Sequence, residues 1–324
     1  MDGRRGRATR VVVLVLPDVN LLDLGGPVQV FDAASHRGAD YRIEFVAESP
    51  ELASAQGLRL AGLGPLGAST ADDLVLVPGP RLRPPAEDGY LVSEAVRRWL
   101  GEAARAGARI ASVCTGAAAL GEAGLLDGRR CTTHWSLTDA MRLRYPAARV
   151  QESVLYVHDG RISTSAGFST GIDLALSIVE RDWGPTLTAE VARQLVIYLR
   201  RTGSAEQVSP YLRHRAHLNP AVHLVQDHLA QHLDRAHSLA DLARVANLSP
   251  RGLSRAFTTT VGLTPLEYQQ GLRLELAATL LAETDLTVEA VAARCGFRDP
   301  RHFRRLYSAR HGAPPSAARR RPAD

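Results

Sequence analysis

The stretch LADLARVANLSPRGLSRAF, residues 239–257, is answered further on by VEAVAARCGFRDPRHFRRLY, residues 288–307. Leu239, Leu242, Ala243, Asn247 and Leu248 recur as Val288, Val291, Ala292, Gly296 and Phe297, each 49 positions later. Arg251, Leu253, Arg255, Ala256 and Phe257 recur as Arg301, Phe303, Arg305, Leu306 and Tyr307, each 50 positions later, so one residue is inserted just past the turn. Self-similarity at a fixed offset marks a repeated supersecondary unit. Each copy reads as helix, tight turn, helix. Ala243 and Ala292 let two helices approach, and Asn247 and Gly296 accept the left-handed backbone of a tight turn. Ser249 and Asp299 are placed to cap the second helix of each copy.

The second helix turns Leu253 and Phe257, or Phe303 and Tyr307, inward. Its opposite side carries Arg251, Ser254 and Arg255, or Arg301, His302 and Arg305. A helix of this kind enters the major groove, where arginine pairs bidentately with guanine. Arg304, Arg310 and Arg319–Arg321 are expected on phosphates, giving affinity without sequence information. The charge agrees. Residues 210–324 hold 16 Arg against 10 acidic residues, whereas residues 1–209 hold 23 Arg against 24. A neutral front and a basic back fit a sensing or catalytic part joined to a part that meets a polyanion.

From Pro220 onward the pattern is all helix, including a long segment Pro265–Glu283 between the two copies. Residues 220–321 resemble the AraC/XylS DNA-binding domain, most specifically across Val288–Gly312 followed by Ala313-Pro-Pro315. The resemblance implies recognition helices starting near Pro250 and Pro300 that read successive major-groove segments. Ala318 stands where that family usually has an aromatic.

Upstream, β-rich runs alternate with amphipathic stretches. Strands are expected at Arg10–Leu16, Tyr41–Ala47, Asp73–Val77, Arg109–Val113, Val154–His158 and Arg161–Ser165. Helices are expected at Pro27–Ala34, Ser93–Ala106 and Thr186–Arg201. This alternation predicts an α/β domain with a mostly parallel sheet, whose chemistry gathers at the carboxyl ends of the strands. Domain organisation is read as a flexible basic tail (1–9), a sensor and dimerisation domain (10–200), a polar linker (201–219) and the helical domain (220–321).

Cys114 lies at a strand-to-helix junction, in Ser112-Val-Cys-Thr-Gly116. A helix N-terminus favours a thiolate, and a sharp turn there lifts the side chain above the sheet edge. A buried, inert thiol is the alternative. Asp23, set among Leu21, Leu22 and Leu24, needs a polar partner, and His134 is a further polar candidate. Residues 10–180 resemble the ThiJ/PfpI branch of the class I glutamine amidotransferase-like fold, a flavodoxin-like sheet. The resemblance rests on Leu21-Leu-Asp-Leu-Gly-Gly-Pro27, Val75-Leu-Val-Pro-Gly79, Ser112–Gly116, Gly124-Leu-Leu-Asp-Gly128, Thr132-Thr-His-Trp135 and Thr164-Ser-Ala-Gly167. Enzymes of this branch, such as isonitrile hydratases, imply an acid–Cys–Thr set at Asp23, Cys114 and Thr115. Two departures point away from catalysis. Thr115 stands where protease-like members have His, and Pro80, without an N–H, stands where many have a glycine that helps bind an oxyanion.

Together the halves resemble GlxA-type and AdpA-like regulators of the AraC family. The resemblance implies a non-enzymatic, cytoplasmic and nucleoid-associated regulator of promoter DNA. It also implies an N-terminal domain that forms a homodimer, senses an unidentified small-molecule effector, or does both, with RNA polymerase as a candidate further partner. Neither cofactor nor metal is expected, although His228 and His232 have the i, i+4 spacing of a chelating pair. No apolar run reaches membrane-spanning length, and Val11–Leu16 is too short for a signal-peptide core. Three cysteines make no disulfide framework; Cys131 and Cys295 read as packing residues. The rival readings are a cysteine-dependent hydrolase or hydratase, and a nucleoid binder with little sequence preference.

Overall fold

β-branched residues dominate Thr9–Leu14, and this segment is strand β1, with Val11 and Val13 packed on one face and Val12 and Leu14 on the other. The computed structural model describes residues 8–81, 91–152, 154–197, 201, 203, 207, 214–215 and 217–318. The expected tail at residues 1–7, Tyr198, Leu199, Pro210 and Arg319–Arg321 lie outside these. The chain divides into two compact units, Met1–Gln207 and Val208–Asp324.

In the first unit the strands are β1, β2 (Tyr41–Val46), β3 (Glu51–Ala53), β4 (Arg59–Ala61), β5 (Leu74–Val77) and β6 (Arg109–Val113). They continue with β7 (Arg130–Cys131), β8 (Arg149–Val150), β9 (Tyr156–Asp159) and β10 (Ile162–Ser165). Six form one sheet in the order β2-β1-β5-β6-β10-β9. All pairings in it are parallel except β10 with β9. The hairpin β3–β4 and the two-residue ladder β7–β8 were not expected.

Helices α1 (Leu21–Ser35), α5 (Ser169–Trp183) and α6 (Pro185–Gln194) pack on one face of the sheet. Helices α2 (Glu94–Arg105), α3 (Gly116–Glu122) and α4 (Thr138–Arg144) pack on the other. Two boundaries differ from expectation. α1 starts six residues before Pro27, which lies inside it, buried, with its ring against Gly171 of α5. α6 stops at Gln194, and Val196 has φ 55°, a conformation that ends a helix.

The second unit contains α7 (Pro220–Gln231), α8 (Leu239–Val245), α9 (Pro250–Val261), α10 (Pro265–Glu283), α11 (Val288–Arg294) and α12 (Pro300–His311), then a 3-10 turn at Pro315–Ala318. It has two small cores. Val222, Leu229, Leu242, Leu253, Phe257 and Leu272 build the first. Leu274, Leu281, Val291, Cys295, Phe303 and Tyr307 build the second, against which Ala318 also packs. α10 supplies side chains to both. Among the described residues no helix is long and apolar enough to cross a membrane.

Candidate functional site

β6 ends at Val113 and α3 begins at Gly116, so the chain must reverse within two residues. Cys114 makes the reversal with φ 57°, a strained value for a residue with a side chain. Three glycines give it room. A Cβ on Gly116 would overlap the Val77 carbonyl oxygen; one on Gly79 would lie 2.8 Å from the Thr115 nitrogen; one on Gly167 would lie 2.7 Å from Cys114 Sγ. The elbow at the carboxyl end of β6 is therefore a tightly fitted piece of backbone.

Asp23 of α1 is fully buried. Its Oδ1 accepts the Phe168 N–H at 2.5 Å, while Oδ2 is buried and has no hydrogen-bond partner among the described residues. Burial lifts its carboxyl to about 6, against the opposing pull of the Phe168 N–H and the Cys114 thiol. Cys114 is also fully buried. Burial, then the neighbouring Asp23 charge, pushes its thiol up; the Thr115 N–H opposes this weakly. Of the two readings open for Cys114, a helix-favoured thiolate and a buried thiol, the raised pKa favours the thiol, because desolvation and a carboxylate oppose a helix terminus that begins two residues later.

Asp23 and Cys114 are brought together and Thr115 also bears on the thiol, but its hydroxyl is engaged by Pro80, and His134 is held elsewhere. Thr115 donates its hydroxyl to the Pro80 carbonyl at 2.7 Å, and Asn20 Nδ2 donates to the same oxygen at 2.9 Å. His134 caps a 3-10 turn, its Nδ1 accepting the Ser136 N–H at 3.3 Å. Its ring meets Phe168 edge-on at 5.8 Å and lies 5.5 Å from Trp135, which is 57% exposed. Burial lowers the His134 imidazole's pKa. No hydrogen bond among the described residues joins His134 to Asp23 or Cys114.

Reading the sequence missed Phe168, which holds Asp23 from a backbone with φ 49°. It also missed the anchoring of the exit segment. Arg201 pairs with the buried Asp173 at 2.6 Å and donates to Ser169 Oγ at 2.9 Å. Gly203 accepts the Leu155 N–H at 2.8 Å. Gln207 Nε2 donates to the carbonyls of Thr133 and Val154, each at 3.0 Å. Thr133 in turn donates its hydroxyl to the Cys114 carbonyl at 2.9 Å. Residues 201, 203 and 207, expected in the linker, are fastened to the first unit beside the loops that hold Asp23 and Cys114.

In the second unit both copies build the expected helix-turn-helix. Asn247 and Gly296 make the turns with φ 52° and 78°. Ser249 Oγ accepts the Gly252 N–H at 3.1 Å, and Asp299 Oδ1 accepts the Arg301 N–H at 2.9 Å. Proline opens α9 and α12, and a left-handed glycine closes each. Arg251, Arg255, Arg301 and Arg305 are exposed; Ser254 and His302 are half-buried. Arg305 lies 3.1 Å from His302 Nδ1. Arg304 is paired with Glu289, and Arg310 with Glu275 at 3.2 Å, so each already has a carboxylate where a phosphate was expected. The rings of His228 and His232 are 4.6 Å apart, but among the described residues no three metal-ligating side chains are grouped to hold an ion.

Residues 9–181 match the DJ-1/PfpI family, and residues 242–321 match a helix-turn-helix domain. The chain is 32% identical over 310 residues to the HTH-type transcriptional regulator CdhR of Pseudomonas aeruginosa, covering 94% of this chain and 90% of that protein. It is 32% identical over 189 residues to an isonitrile hydratase of Pseudomonas putida, covering 58% of this chain and 78% of that enzyme. A ThiJ/PfpI family protein from Pseudomonas syringae superposes with a TM-score of 0.51 at 25% identity, covering 59% of this chain and 76% of that one. With both halves matched in one chain and a regulator aligned along nearly all of it, the chain belongs to the AraC-type helix-turn-helix transcriptional regulators that carry an N-terminal DJ-1/PfpI domain.

Proposed function

We propose that the first unit of this DNA-binding regulator is a non-catalytic receptor for a small molecule, and that its occupancy controls promoter binding by the second unit. The observation that carries the receptor reading is Asp23: a fully buried carboxylate beside Cys114 whose Oδ2 has no hydrogen-bond partner among the described residues, and whose Oδ1 is held by Phe168, a residue in ring contact with His134. Against catalysis stand a thiol held protonated and Pro80, which offers no N–H to an oxyanion. The exit segment supports the coupling. Gln207 and Arg201 bind the same loops that position Cys114 and Asp23, so a ligand that moves those loops shifts the point from which the second unit departs. The second unit reads base edges through Arg251, Ser254, Arg255, Arg301, His302 and Arg305, with Ser249 and Arg304 at the backbone. The protein acts as a homodimer on two-fold sites, in the cytoplasm at the nucleoid, within reach of RNA polymerase.

The test is selection of binding sites from sheared genomic DNA by the full-length protein at near-physiological salt. The expected result is a shared sequence at a few promoters, lost on Arg255→Ala or Arg305→Ala. Diffuse enrichment, with promoter and random DNA bound alike, would overturn sequence-specific reading. Iodoacetamide labelling across pH tests the non-catalytic claim: reaction confined to above about pH 8 is expected, and full reactivity near pH 6 contradicts it.

A further inference from the structure

α10 carries an arginine at the place where the two helix-turn-helix copies meet. Arg273 is only 9% exposed. Its Nε donates to the Leu233 carbonyl at 2.6 Å and its Nη2 to the Arg235 carbonyl at 2.7 Å. One turn earlier on α10, Gln269 Nε2 donates to the same Arg235 carbonyl at 2.8 Å. Both carbonyls lie in the segment between α7 and α8 that leads into the first copy. On its other side the guanidinium carbon sits 5.8 Å from the centre of the Phe297 ring. A Cβ on Gly296 would come within 2.8 Å of Arg273 Nη2 and 2.6 Å of the Asp234 carbonyl oxygen. Gly296 and Phe297 are the turn of the second copy. That turn is therefore packed directly on the segment entering the first, with the guanidinium wedged beside it.

Burying a guanidinium whose hydrogen bonds go to carbonyls is costly: burial lowers its pKa, against the opposing pull of Cys295 and Asp234. The apolar side chains of α10 already join the two cores, so cohesion does not require this group. A planar fork bound to two fixed carbonyls adds geometry: it sets distance and angle in a way that a flexible ammonium cannot. We propose that Arg273 is a positioning residue for DNA reading, which locks the second copy's turn to the segment entering the first copy and so fixes the spacing between the two base segments that α9 and α12 accept. This rests on sequence-specific reading by both helices.

The test starts from sites that full-length wild-type protein selects from a random duplex pool. Dissociation constants are then measured for the selected site and for versions with one, two or three base pairs inserted between its two segments. Wild type is expected to lose about tenfold or more per inserted base pair, the scale of a lost base contact. Arg273→Lys is expected to bind the selected site within a few-fold of wild type, yet lose less than about threefold per insertion. Gln269→Ala, which leaves the guanidinium in place, is expected to fall between them and serves where Arg273→Lys folds poorly. A merely structural role weakens every spacing alike and leaves the insertion penalty unchanged; that result overturns the proposal. A wild-type pool without two enriched segments overturns the underlying reading of DNA, and this proposal with it.

Discussion

Replacing Asp23 by Asn removes a buried charge while keeping the shape of the side chain. Burial lifts the Asp23 carboxyl from 3.8 to about 6, a shift of about two units at about 1.4 kcal/mol each. The folded chain therefore takes up this proton more readily than the unfolded one. The contribution favours folding at pH 4 and is withdrawn as pH climbs from about 4 to about 6, so the wild type is about 3 kcal/mol worse off at neutral pH than its acid form. Asn escapes that loss. It keeps an oxygen for the Phe168 N–H but puts an N–H2 where Oδ2 has no partner, at a cost of about 1–3 kcal/mol. The variant should be less stable than wild type at pH 4, and equal or up to about 2 kcal/mol more stable at pH 8. The change in their difference between pH 4 and pH 8, about 2.5 kcal/mol because the unfolded carboxyl is already about half ionised at pH 4, is independent of the amide's own cost. His158, whose pKa burial lowers to about 4, acts in the opposite direction over the same range, but it is common to both chains and cancels in the difference. Urea unfolding followed by tryptophan fluorescence suits the measurement, because Trp99, Trp135 and Trp183 all lie in the first unit. A difference that stays within about 0.5 kcal/mol from pH 4 to pH 8 would refute the uncompensated carboxylate.

Three further outcomes follow from the geometry. Gly167→Ala, with φ 104° and a Cβ driven into Cys114, should cost about 1–3 kcal/mol in backbone strain and about as much again in overpacking, whereas Gly124→Ala, with positive φ but open space, should cost only about 1 kcal/mol; urea midpoints compare the two. Arg109→Ala leaves buried Asp182 with the Tyr41 hydroxyl as its remaining side-chain partner among the described residues and should cost about 3–5 kcal/mol; a thermal melt showing less than about 1 kcal/mol contradicts the pairing. Arg255→Ala should lose about 1–3 kcal/mol at particular base pairs in a binding titration, with an unchanged unfolding midpoint because the side chain is exposed.

The helical domain was legible in the sequence because its information is local. Each turn residue, cap and inward side chain lies within twenty positions of the next, and the second copy repeats the pattern. The central strands were legible because parallel strands buried on both faces leave near-continuous apolar runs such as Val11–Leu16. The β3–β4 hairpin escaped because each strand is three residues long and turns only its middle residue, Leu52 or Leu60, inward. The pairing of Asp23 with Cys114 came from the family resemblance, and spacing alone could not supply it. Asp23 and Cys114 are far apart along the chain, and the decisive contacts are made by backbone groups: the Phe168 N–H, the Pro80 carbonyl and the Thr133 carbonyl. Main-chain groups carry no residue signature. The choice between thiolate and buried thiol stayed open for a related reason, since it depends on burial that only the folded sheet creates.

The two cores of the second unit bear on how such a protein changes over generations. The inward residues of α9 belong to one core and those of α12 to the other, while the outward arginines of each helix touch neither. Drift in the base preference of one half therefore leaves the packing of the other undisturbed, and each half of an operator can be re-specified separately. α10 has no such freedom. Tyr268 and Leu272 serve the first core, Leu274, Ala277 and Leu281 the second, and Leu276 packs against both, so a substitution at Leu276 is felt by both. Under the proposed reading of DNA, the helix with least freedom to change is thus one assigned no base contact.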